Sequence, residues 1–120
     1  MELLKLDERP AEYKWEDVTF LFRTIMGPGD KFAVDTAGHL MENGKITFKV
    51  WELYKALIKT FVVGWKGVTE NGKEVPWDYN LFMTRFPVKE KDVVMLLGEH
   101  ISETVNIFGL SKETEALKNV

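Results

Sequence analysis

The chain reads as an α+β protein, a small antiparallel sheet from N-terminal strands covered by three to four helices, and three observations carry that reading. Runs of β-branched and aromatic residues crowd into the first quarter of the sequence. Helix-spaced apolar stripes fill the remainder. The two patterns do not alternate, as they would in a parallel α/β sheet. At 120 residues the chain has the length of one domain able to bury a core without staples. We divide it into residues 1–27, mainly β; residues 28–110, mainly helical with a hairpin or ordered loop near residues 63–77; and a polar tail, residues 111–120.

The strands come first. Leu3-Leu4 and Leu6 form a short apolar patch, and Pro10 then rules out a continuous helix or a central strand. Tyr13-Lys14-Trp15-Glu16 alternates aromatic and charged residues, and Val18 to Ile25 is rich in β-branched and aromatic side chains. Both are strand signals. Glu16-Asp17 reads as a two-residue turn between them, with a single bent strand as the alternative. Met26-Gly27-Pro28-Gly29-Asp30 breaks any regular element, and it lacks the spacing and the Lys-Ser/Thr ending of a phosphate loop.

The helices follow. Asp30 is placed to cap a short helix over Lys31–Leu40, whose apolar positions are Phe32, Ala33, Val34, Ala37 and Leu40. Asn43-Gly44 marks a turn. Thr47 is a candidate N-cap for a longer helix with Val50, Trp51, Leu53, Tyr54, Leu57, Ile58, Phe61 and Val62 as its apolar face and Gly64 as its stop. Asn71-Gly72 is a strong reversal signal, because both residues tolerate positive φ, and the Val-containing runs beside it can pair across it. Asp78 caps a short helix through Tyr79, Leu81, Phe82 and Phe86 that Pro87 ends. A last helix starts in Lys89-Glu90-Lys91-Asp92, buries Val93, Val94, Leu96, Leu97, Ile101, Val105 and Phe108, and stops at Gly109.

Composition excludes several function classes. Nineteen acidic side chains against sixteen basic ones leave no basic field for nucleic acid. With no cysteine there is no disulfide, thiolate zinc site or cysteine nucleophile. Apolar runs of five residues at most, such as Val93–Leu97, fall far short of the about 20 that span a bilayer. The acidic N-terminus is unlike a secretory leader, so the expected location is the cytoplasm, that of the host cell if a phage encodes the chain. His39 and His100, on different predicted helices, have no metal-ligand spacing. Glu12, Glu16 and Asp17 form no acid–base pair, since adjacent acids in a strand point to opposite faces. Ser102 and Ser111 lack a nucleophile elbow. The expectation is a protein without catalytic residues, metal or cofactor.

Eight Phe, four Trp and three Tyr exceed what chemistry requires here, and most belong to a core. Trp65 and Trp77 differ in flanking a turn rather than lying on a helical stripe. They read either as anchors packed back on the domain or as partner-binding side chains, because indoles are enriched at interface hot spots.

The run Phe61-Val62-Val63-Gly64-Trp65-Lys66-Gly67-Val68, then Asn71-Gly72-Lys73, Val75-Pro76-Trp77 and Tyr79-Asn80-Leu81, resembles the tail assembly chaperone-like proteins of long-tailed bacteriophages. Those proteins carry a V-x-G-W-x-G-V … G-x-x-V-P-F core after a helix, with a helical C-terminal part. Trp77 stands here where Phe is expected. The match spans Phe61–Leu81 and is topological elsewhere. It implies a non-enzymatic protein that binds the tape-measure protein, and tail-tube protein, and keeps them soluble until the tail polymerises. The alternative is a structural phage component, a tail-completion or head–tail connector protein retained in the virion. A homo-oligomer is compatible with either, although no coiled-coil repeat marks a seam. Within the motif Gly64, Gly67, Asn71, Gly72 and Pro76 read as residues that specify the fold, with Gly64 releasing the helix, Gly67 and Gly72 permitting turns, and Pro76 stiffening the return.

Overall fold

The computed structural model describes residues 1–3, 9–88 and 92–105. Its elements run β1 (Ala11–Trp15), β2 (Val18–Phe22), α1 (Pro28–Ala37), β3 (His39–Glu42), β4 (Lys45–Phe48), α2 (Val50–Phe61), β5 (Val62–Lys66), β6 (Thr69–Glu70), β7 (Lys73–Glu74), α3 (Tyr79–Arg85) and α4 (Val93–Val105). This is the α+β class, with a small antiparallel sheet and four helices.

β1 and β2 form a hairpin closed by Glu16-Asp17, with Trp15 opposite Val18 and Tyr13 opposite Phe20. Glu16 supplies the positive φ, at 52°, that a tight reversal needs where no glycine is present. β5 joins the other side of β2, with Phe20 opposite Trp65 and Leu21 opposite Gly64, so the strand order is β1-β2-β5. Alternation sorts the two faces. Trp15, Val18, Phe20, Phe22, Val62 and Trp65 are buried, while Glu12, Lys14 and Lys66 are exposed.

The helices cover the buried face. Leu53, Leu57, Ile58 and Phe61 of α2 share one core with Val93, Val94, Leu97 and Ile101 of α4. The two helices approach closely at Gly98, where a Cβ would collide with Tyr54. Burial of its ring raises the Tyr54 pKa, reinforced by Glu99 and Glu103. α3 is capped as expected, with the Asp78 carboxylate accepting from Leu81 N–H at 2.8 Å, and it ends at Arg85, so that Phe86 is its C-cap, just before Pro87, and not a helical residue.

Several expectations are corrected. α1 begins at Pro28, not Lys31, because proline at the first helical position forgoes no hydrogen bond. Asp30 caps from inside the first turn, accepting from Gly27 N–H at 3.0 Å. α1 ends at Ala37 instead of Leu40, since residues 39–42 pair with residues 45–48 across Asn43-Gly44. Thr47 therefore lies in β4, and Lys49 occupies the N-cap of α2. Gly64 does not stop α2. The helix ends at Phe61, Val62 N–H still bonds to Ile58 O, and the chain passes directly into β5 with Gly64 inside the strand. Strands are not confined to the first quarter, and β5, which follows α2, completes the main sheet. The start of the last helix at residues 89–91, and Phe108, Gly109 and the 111–120 tail, lie outside the described residues, as do Leu4 and Leu6.

One side chain ties these layers together. The Arg23 guanidinium donates to both oxygens of Asp30, at 2.7 and 2.8 Å, and to the carbonyls of Ile25 and Thr60 at 2.7 and 3.0 Å. It also lies 4.7 Å from the Phe61 ring centre. The end of β2, the first turn of α1 and the last turn of α2 thus meet on one planar cation, a task suited to the guanidinium fork. The hydrogen bonds from Arg23 hold the Asp30 carboxyl below the usual carboxylate range, and Asp30 raises Arg23 in return.

Candidate functional site

The Val63–Trp77 stretch builds one end of the molecule. β5 leaves the sheet at Lys66, and Gly67 turns the chain with φ at 92°. A side chain there would collide with the carbonyl oxygen of Asp17, so backbone freedom and close approach both call for glycine. β6 and β7 pair as Thr69 with Glu74 and Glu70 with Lys73 around Asn71 and Gly72, both at positive φ. Val75 N–H donates to Val68 O at 3.0 Å and extends the ladder by one rung. Pro76 follows, outside any strand.

This hairpin carries Trp77 back over Trp65. Trp65 is 8% exposed, and its indole N–H donates to the Val75 carbonyl at 2.6 Å. Trp77, half-buried, meets it edge to face at 4.9 Å between ring centres. Phe20 sits beneath both at 6.3 Å from each, and Phe82 of α3 and Phe86 at its C-cap lie 5.7 and 6.0 Å from Phe20. Tilted and edge-on geometries prevail, as the ring quadrupole favours. The two indoles pack on the domain and on each other, and the Trp65 N–H is tied to the backbone of the returning hairpin.

Beside the hairpin is a shallow hollow of about 80 Å³ lined by Val68, Thr69, Glu70, Val75, Leu81 and Arg85. Arg85 crosses it to pair with Glu70, which lowers the Glu70 pKa and raises that of Arg85. Ligand pockets usually enclose about 300 Å³ or more, so this hollow is too small for an organic substrate.

The titratable residues are dispersed. His39 is in β3 rather than a helix, its Nδ1 bonded to the Asp35 carbonyl, while His100 on α4 packs on Tyr13 and Phe22 at 4.8 and 5.6 Å. Glu16 and Asp17 form the first hairpin turn instead of strand positions, and Glu12 lies on the solvent face of β1. The Ser102 hydroxyl donates to the carbonyl of Glu99. Among the described residues no three of His, Cys, Asp and Glu come together as metal ligands. No described helix is long and apolar enough to cross a membrane.

Within the stretch Val63 is 54% exposed, and other large exposed apolar side chains lie elsewhere. Phe32 on α1 is 72% exposed and Ile46 on β4 69%, and in the first turn of α2 Val50 and Trp51 are 38% and 39% exposed. These elements adjoin one another: α1 packs on α2, and Lys49 N–H donates to Gly38 O at 2.7 Å. Phe32, Val50 and Trp51 were expected on core stripes. For Phe32 the sequence does contain a signal against that. Phe32 is two residues from buried Val34, and helical residues so spaced do not share a face, whereas Trp51 shares its face with buried Ile58, seven residues on.

Compared with known proteins, the chain matches no family model, and no curated protein or solved structure is significantly similar to it.

Proposed function

We propose that the chain is a non-enzymatic, tail assembly chaperone-like phage or prophage protein that holds the tape-measure protein soluble during tail assembly. The observation that carries the reading is the Val62–Trp77 motif, Val-x-Gly-Trp-x-Gly-Val followed by Gly-x-x-Val-Pro-Trp. Two features of the molecule support it. The motif residues are occupied with packing and turning the chain, as a family signature for a fold requires and a catalytic site does not. The apolar side chains left for a partner, Phe32, Ile46, Val50 and Trp51, are large and exposed, which suits capture of an apolar segment that would otherwise aggregate.

Co-expression with the tape-measure protein encoded in the same genome tests the reading. The expected result is a soluble tape-measure protein that co-purifies with the full chain. An insoluble tape-measure protein and no complex would sink it. Mass spectrometry of mature particles separates the neighbouring possibility, because a chaperone is absent from the virion and a tail-completion or connector protein is present at fixed copy number.

A further inference from the structure

We infer that the outer edge of β1 pairs antiparallel with the same edge of a second copy of this chain, centred on Tyr13, to make a continuous six-stranded sheet. Among the described residues β1 is an edge strand of the β1-β2-β5 sheet. The pair closing a two-residue hairpin, Trp15 with Val18, is hydrogen-bonded, and bonded and non-bonded pairs alternate from there. Ala11, Tyr13 and Trp15 therefore spend their backbone groups on β2. Those of Glu12 and Lys14 point outward from the sheet.

Charge then selects one register. Outward-facing residues must meet outward-facing residues, which leaves three arrangements. Centring on Tyr13 sets Glu12 opposite Lys14 of the second copy and Lys14 opposite its Glu12. A shift one way sets Glu12 against Glu12 and Lys14 against Pro10, which has no N–H to give. The opposite shift sets Lys14 against Lys14. Opposite charges directly across an antiparallel pair attract and like charges repel. Both side chains are exposed on the same face of the strand, and neither forms an ion pair among the described residues. On the other face the same register brings the two Tyr13 rings together, each half-buried and tilted against His100.

The opposite edge of the sheet offers no such match. β5 carries a bulge where its pairing shifts between Leu21 and Phe22, a device that twists an edge away from further pairing. Its sequence, Val-Val-Gly-Trp-Lys, holds one charge and no complement to it.

Sedimentation equilibrium of the full chain from micromolar to millimolar concentration tests the inference. Wild type is expected to dimerise. Glu12→Lys or Lys14→Glu alone makes both symmetry-related pairs repulsive and raises the dissociation constant about tenfold or more. The Glu12→Lys/Lys14→Glu double variant restores the wild-type value. Amide exchange on wild type adds a reading that needs no variant, since the N–H groups of Glu12 and Lys14 should become protected as concentration rises. A monomer at every concentration overturns the inference, as does a dimer indifferent to the single reversals or one without that protection.

Discussion

Trp65 and Trp51 stand at opposite ends of the α2–β5 segment. Trp65 is 8% exposed, has its N–H bonded to Val75, and is ringed by Phe20, Trp77, Phe82 and Phe86. Trp51 is 39% exposed, and its neighbouring elements also leave Phe32 and Ile46 in solvent. At the motif end, a hairpin is spent on covering an indole; at the α1–β4–α2 end, large apolar surface is left uncovered. The difference separates two jobs that sequence motifs tend to merge. The conspicuous indole and glycines of the motif pack and turn the chain, while the side chains of Phe32 and Ile46, more exposed than any apolar residue of the motif, lie outside it.

That contrast can be broken by substitution. The largest effect is expected for Trp65→Ala, which empties the centre of the aromatic cluster and should cost about 4 kcal/mol in urea unfolding. A cost near that of a surface residue would mean that the cluster does not hold the hairpin. Gly67→Ala should cost about 2 to 3 kcal/mol, because its methyl group meets the Asp17 carbonyl and its φ is positive. Arg23→Ala, which unties α1 from the sheet, should cost about 2 kcal/mol through its charge-assisted hydrogen bonds.

The same clamp sets a pH dependence. The folded pKa of Asp30 is lowered, chiefly by hydrogen bonds from Arg23. Its stabilisation is therefore fully present above the ordinary carboxylate value of about 4 and is lost as pH falls through the lowered folded value. Asp30→Asn should flatten the stability profile in that acid window and leave its shape near neutrality unchanged. An unchanged acid limb would show that Arg23 does not discriminate between the two forms of the carboxyl.

Much of the fold was legible in the sequence where local chemistry and tertiary packing agree. The β1–β2 hairpin, the α2 stripe, the Asp78 cap and the Asn71-Gly72 reversal all have local causes strong enough to read directly. The early start of α1 comes from Pro28 at the first helical position, and two other errors come from strand pairing, one distant and one local. Gly64 after an apolar helix looks like a helix stop, but β2 offers it a partner in Leu21, and the backbone exchanges helical bonds for ladder bonds without a loop. Residues 39–42 continue an apolar helical pattern, but Asn43-Gly44 folds residues 45–48 onto them. At the candidate site, the packing of Trp65 was among the alternatives the sequence left open. The exposure of Phe32 could have been found from its two-residue spacing to Val34, whereas Trp51 shares a helical stripe with buried Ile58 and carries no such signal.

The most direct test of where a partner binds is co-purification of the tape-measure protein with two variants of the full chain. Phe32→Ser/Trp51→Ser should keep the fold, at a cost within about 1 kcal/mol for two exposed positions, and lose the complex. Trp77→Phe, which retains an aromatic ring over Trp65, should keep both. A complex that survives the first variant and fails with the second would place recognition on the indole pair and contradict the account.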